Sequence, residues 1–149
     1  MIEIIEVLWY KIKMDDEIIL HSVIDAERGN LYMGEAEKQI PFSIRRFYVI
    51  RGIPDFEDVR GQHAHKTLEQ VIFCLNGSFE LHMDDGQKKW NIVMDDPSKG
   101  IRFRKMVWHS MTNFSKDCII LVVASEYHDE SDYIRNYNDF LKYISEFNI

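Results

Sequence analysis

Apolar residues recur at every second position along most of this chain and at helical spacing in only one stretch, a contrast that points to an all-β fold. Phe79, Leu81 and Met83 alternate with Glu80, His82 and Asp84, a half-buried strand with His82 on its solvent side. In residues 41–53, Ile44, Arg46, Tyr48 and Ile50 share one face, and Ser43, Arg45, Phe47, Val49 and Arg51 the other. Cys118 to Ala124 is apolar at every position, as expected of an inner strand buried on both sides. Turn signals separate these runs: Asp15-Asp16, residues 26–31, Asn76-Gly77, Asp84-Asp85-Gly86 and Asp95-Asp96-Pro97. Residues 1–13 and 17–25 read as further strands, and residues 34–39 as no more than a turn of helix. From Ser131 the period changes, because Tyr133, Tyr137, Phe140, Leu141 and Ile144 fall on one helical face, with Asp129 or Ser131 as cap. The expectation is one domain over residues 1–149, a β-sandwich or small barrel of about eight or more strands, followed by a helix over residues 130–147.

With 149 residues, 46% of them hydrophobic, the chain can bury a substantial single core. Its formal charge of −7 argues against nucleic acid as a partner, although local arginines can still hold a small anion. No run approaches the roughly 20 apolar residues that cross a bilayer, so no membrane association is expected. Glu3 and Glu6 interrupt the first apolar run where a secretory leader would carry a basic start. Cys74 and Cys118 sit inside apolar strands, where a thiol behaves as a small hydrophobe. A reducing cytoplasm fits them; they could bridge only if their strands were neighbours.

The chemistry concentrates in residues 60–77. His63 and His65 share a face of an extended strand, and continued alternation adds Glu69, Val71, Phe73 and Leu75 to it. Two imidazoles on a core face need partners or a pocket, since a buried polar group left unpaired costs about 1–3 kcal/mol. They are either structural rings bonded internally or the proton carriers of a site. Gln70 falls on the opposite face of a regular strand. An inward Arg46 needs an anion, supplied by an internal carboxylate or by a ligand.

The pattern Gly61-x-His63-x-His65-x3-Glu69-x7-Gly77 resembles the first signature of the cupin superfamily, a jelly-roll fold. Gly100, His109 and Asn113 echo the second, with Met106 where a proline is expected and without the internal glycine. Many cupins bind a metal through two histidines, a glutamate and a third histidine, which here would be His63, His65, Glu69 and His109. That set would suit zinc, iron or copper.

A closer resemblance spans the chain from about Arg28 onward. Residues 40–46 (Ile-Pro-Phe-Ser-Ile-Arg-Arg), 60–66 (Arg-Gly-Gln-His-Ala-His-Lys), 74–78 (Cys-Leu-Asn-Gly-Ser), 107–109 (Val-Trp-His), 124–127 (Ala-Ser-Glu-Tyr) and 129–137 look like the nucleotide-sugar 3,4-ketoisomerases. These are metal-independent cupins that convert dTDP-4-keto-6-deoxy-glucose to a dTDP-3-keto-6-deoxy-hexose. The resemblance implies a cytoplasmic, cofactor-free isomerase of deoxysugar biosynthesis for surface polysaccharide or lipopolysaccharide. It assigns His63 to the carbon-bound proton and His65 to the oxygens, and histidine's pKa near 6.5 suits both tasks. Tyr48 would donate to the enediolate oxygen, and Arg46 and Arg60 would grip the diphosphate. Gln70 would contact the substrate, and Trp108 and Tyr127 would either stack on thymine or pack in the core. The resemblance links a galacto product to Arg28 and His109. It also implies a homodimer paired through N-terminal strands within residues 1–27. Two other readings compete: a metal-dependent cupin enzyme, and a sugar- or nucleotide-binding cupin without turnover.

Overall fold

The computed structural model describes residues 16–55 and 57–147. In chain order the strands are β1 (Glu17–Ile19), β2 (His21–Val23), β3 (Leu31–Met33), β4 (Arg46–Arg51), β5 (Arg60–His65), β6 (Gln70–Asn76), β7 (Phe79–Asp84), β8 (Lys89–Met94), β9 (Lys99–Phe103), β10 (Trp108–Thr112), β11 (Ile119–Ala124) and β12 (Tyr133–Ile134). One helix, α1 (Tyr137–Phe147), follows them. Two five-stranded antiparallel sheets carry the fold, one in the order β1-β9-β6-β11-β4 and the other β12-β5-β10-β7-β8. The architecture is the cupin jelly roll, all-β with a short C-terminal helix. The strand expected over residues 1–13 lies outside the described residues.

The alternation read from the sequence fills the space between the sheets. Ile72, Cys74, Phe79, Leu81, Met83, Ile101, Phe103, Met111, Ile120 and Val122 interdigitate there, each fully buried apolar side chain contributing about 1.5–3 kcal/mol. Val71, Phe73 and Val123 point out of the first sheet and are covered by Ile18, Ile40 and Phe42. This cover explains why β11 is apolar on both faces. Segment 34–39 is a turn rather than a helical turn, with Ala36 bridged to Ile40. Cys74 on β6 and Cys118, the residue just before neighbouring β11, are both free; burial, and then the other sulfur, pushes Cys74 up to about 12.

Three expectations need correction. Residues 17–25 do not make one strand: β1 pairs with β9, whereas β2 pairs only with β3, the break falling at Leu20, whose amide donates to Ser98 O. The C-terminal helix does not begin at residue 130. Glu130–Asp132 is a 3-10 turn capped by Asp129, and β12 then pairs with β5 before Asn136 caps α1 by accepting from the Asp139 amide. His82 is not simply solvated, because it bonds Asn91 at 2.8 Å and Thr112 at 2.6 Å.

The inner face of α1 packs Tyr137, Phe140, Tyr143 and Ile144 over Ala64, Met106, Trp108 and Ile134. Met106 is held at φ +58°, a conformation closed to proline, which explains the departure from the second cupin signature at this position. Among the described residues no helix is long and apolar enough to cross a membrane.

Candidate active site

Where β4, β5 and β10 meet between the sheets, the lining turns from apolar to titratable. A cavity of about 410 Å³ opens there, bounded by Arg46, Tyr48, Arg60, His63, His109 and Tyr133 on a floor that includes Ile72 and Phe103. Strand β5 reaches it through an irregular start, with Gly61 at φ +87° and Gln62 at φ +56°. A side chain at Gly61 would meet His109 O at 3.0 Å, so only glycine lets the two histidine-bearing strands approach so closely. The carbonyl of Gly61 in turn accepts from His63 Nδ1 at 2.9 Å. That bond fixes the tautomer of His63 and leaves its Nε2 bare.

The three imidazoles form one cluster. His63 stands 4.9 Å from His65 and 4.6 Å from His109 between ring centroids, and Phe103 stacks on His109 at 4.4 Å. His65, 4% exposed, stands behind the cavity wall, and Tyr133 lies against it at 4.4 Å. Its Nδ1 lies 3.2 Å from Asp132, and its other ring nitrogen is buried without a partner. Burial lowers all three rings. For His65, at about 4, the neighbouring His63 adds to the effect and Asp132 opposes it only in part. Burial, partly offset by Gly61 O, lowers His63, and His109 falls well below its ordinary value through burial and the two other rings. The His65–Asp132 contact is therefore a hydrogen bond from a neutral ring to a carboxylate, not an ion pair.

Rings kept neutral by folding make stability depend on acidity. Each takes a proton near pH 6.5 when unfolded but at lower pH when folded, so stability is fully present above 6.5 and falls as pH drops below it. His65 alone accounts for a loss of about 2 kcal/mol by pH 5. We expect the urea midpoint at pH 5 to lie well below that at pH 7; equal midpoints would contradict the neutral assignment.

Arg46 projects into the same cavity. Its Nη1 donates to His128 Nδ1 at 3.0 Å, while Nε and Nη2 are buried without a partner. Arg46 also lies over the Tyr48 ring at 5.6 Å. Burial and then Tyr133 raise the Tyr48 phenol, so it stays a donor, and Gln70 Nε2 donates to its oxygen at 3.3 Å. Gln70 faces inward because β5 and β6 are separate strands in opposite sheets, which resets the alternation across the turn at residues 66–69. The same turn removes Glu69 from the histidine face, where it pairs with Arg102 at 2.7 Å instead. The four-donor metal set is therefore not assembled. One nitrogen from each of His63, His65 and His109 lies within 4.8 Å of the others; these would hold a divalent cation, which would polarise a substrate carbonyl.

Other residues singled out in the sequence stand elsewhere. Trp108 points to the opposite side of β10 from His109 and packs against Tyr137 and Phe140. Tyr127 is 71% exposed beside Arg45, and Arg28, 88% exposed, pairs with Asp25. Neither lines the cavity. Asp132, Tyr133 and Arg135 were hidden in the sequence by the helical period that runs through them.

The fold and this imidazole-lined cavity between the sheets define a cupin-type protein with an open interior site. The family model described as FdtA, WxcM-like, C-terminal matches residues 14–145, and the chain belongs to that family. It is 46% identical over 136 residues to the TDP-4-oxo-6-deoxy-alpha-D-glucose-3,4-oxoisomerase of Aneurinibacillus thermoaerophilus, covering 91% of this chain and 97% of the relative. The sugar 3,4-ketoisomerase QdtA from Thermoanaerobacterium thermosaccharolyticum, solved in complex with TDP, is 38% identical with a TM-score of 0.84, over 89% of this chain and 96% of that one. A mutant of QdtA solved with TDP-4-keto-6-deoxyglucose has a TM-score of 0.83 at 38% identity, over 87% and 93% of the two chains. The chain is an isomerase of the 3,4-ketoisomerase class.

Proposed function

We propose that this enzyme moves the carbonyl of TDP-4-keto-6-deoxyglucose from C4 to C3, with its imidazoles as the proton carriers and without a metal. The observation that carries this reading is a neutral His63 with a bare nitrogen, in the same cavity as a guanidinium that lacks an anion. The C4 carbonyl acidifies the hydrogen on C3, and His63 removes it. Tyr48 donates to the enediolate oxygen as charge develops. His65, through its unpaired nitrogen, passes a proton between the two oxygens, and His63 returns its proton to C4. Arg46, with Arg60 at the rim, takes the diphosphate, and Gln70 holds the Tyr48 oxygen.

We favour the galacto product on the family resemblance. His109 in the cavity wall supports it, whereas Arg28 stands outside the cavity of its own chain. A homodimer is supported by uncovered apolar side chains: Val23, Ile24, Leu31 and Met33 on the β2–β3 hairpin, and Phe47 and Val49 on β4. Light scattering tests it directly. Two buried free thiols, Cys74 and Cys118, support a cytoplasmic setting.

Incubation with TDP-4-keto-6-deoxyglucose in D2O, followed by proton NMR, tests the reading. We expect the 3-keto product with deuterium at C4 and, from a parallel reaction in H2O, a small coupling between the hydrogens on C4 and C5. A large coupling would replace galacto by gluco. Neither product nor deuterium would favour a binding module, and activity that disappears on chelation and returns with a stoichiometric metal would favour a metal-dependent enzyme.

A further inference from the structure

We propose that Asp132 is a positioning residue that sets which nitrogen of His65 carries the proton. Asp132 is buried immediately before β12, where Tyr133 stands opposite His65 and Ile134 opposite Ala64. Its Oδ1 accepts from the amide and the hydroxyl of Thr67, both at 2.7 Å. Its Oδ2 accepts from the Leu68 amide at 3.3 Å and from His65 Nδ1 at 3.2 Å. The two amides can only donate, and the hydroxyl donates as well. Three donors other than His65 converge on the two oxygens of Asp132 and hold it as a carboxylate, which can only accept, so Nδ1 of His65 carries the hydrogen.

The bare nitrogen is then the one buried without a partner, the nitrogen available to the imidazole cluster. Asp132 itself cannot swing away, since the Lys66 amide also donates to its backbone carbonyl at 3.1 Å. In this arrangement His65 can accept a proton at its free nitrogen. With the tautomer reversed, it could only donate there.

Asp132→Asn makes the distinction. The amide oxygen can keep both Thr67 bonds, while the amide NH2 now faces His65 Nδ1, makes it an acceptor and moves the proton to Nε2. Long-range proton–nitrogen NMR on nitrogen-15 histidine-labelled enzyme, with the His65 signals identified by their loss in His65→Gln, should show Nδ1–H in the parent and Nε2–H in Asp132→Asn. The variant should lose about 30-fold in kcat with KM for TDP-4-keto-6-deoxyglucose within about threefold. Thr67→Val, which removes a clasp on the carboxylate but not its contact with His65, should keep the parent tautomer and turnover within about threefold.

A parent His65 protonated on Nε2 overturns the proposal, and so does a Thr67→Val loss equal to that of Asp132→Asn, which would make Asp132 merely a clasp for the turn. The parent spectrum decides even if Asp132→Asn fails to fold. The kcat comparison rests on the ketoisomerase reading but the tautomer does not, so an inactive parent would sink that reading and leave this one standing.

Discussion

Replacing His63 with asparagine is expected to lower kcat for isomerisation by at least about 10³-fold while leaving the affinity for TDP within a few-fold of the parent. The imidazole is the only one of the three that both lines the cavity and is locked by a short bond, from Nδ1 to Gly61 O at 2.9 Å, with its remaining nitrogen bare. Asparagine fills much of the same space but has no lone pair basic enough to take a carbon-bound hydrogen. The nucleotide end of the ligand depends on other groups, so binding survives when chemistry does not. Turnover followed by NMR, beside calorimetric titration with TDP, separates the two. If the variant kept turnover within tenfold of the parent, the carbon-bound proton would belong to His109 or His65.

Arg46→Met is expected to do the reverse to binding and something unusual to stability. Each charge-assisted bond to a phosphate oxygen contributes about 1.5–3 kcal/mol, so losing the two bonds of the fork should weaken TDP binding by at least about 100-fold. Without ligand, Nε and Nη2 are buried with nothing to bond, and only Nη1 is engaged, by His128. Methionine fills comparable volume without stranded donors, so the melting temperature of the unliganded variant should rise by about 3 °C. Weaker binding with a higher melting temperature marks a residue kept for its ligand. Weaker binding with a lower one would make Arg46 a structural member of the His128 pair.

The alternation in the sequence carried most of the fold, because residues such as Phe79, Leu81 and Met83 answer to a face and not to distant partners. It also brought His63, His65, Arg46 and Tyr48 to one side of their strands. It failed where the period itself was interrupted. The turn at residues 66–69 reset the parity, so Glu69 left the histidine face and Gln70 joined the interior. Tyr133 read as part of a helical stripe because its spacing to Tyr137 and Phe140 is helical, yet two residues of it pair with β5 and bring Asp132 behind His65. Nothing local to residues 129–135 encodes that pairing. Trp108 and His109 show the same limit in reverse, since adjacency in sequence placed them on opposite sides of one strand.

That last arrangement ties two properties of the molecule together. The indole of Trp108 is gripped by Tyr137 and Phe140 from the helix outside, and the next residue along supplies an imidazole to the interior. Drift among the helix's inward residues would therefore nudge the geometry of turnover as well as folding, and selection acting on speed would reach side chains that no sugar ever meets.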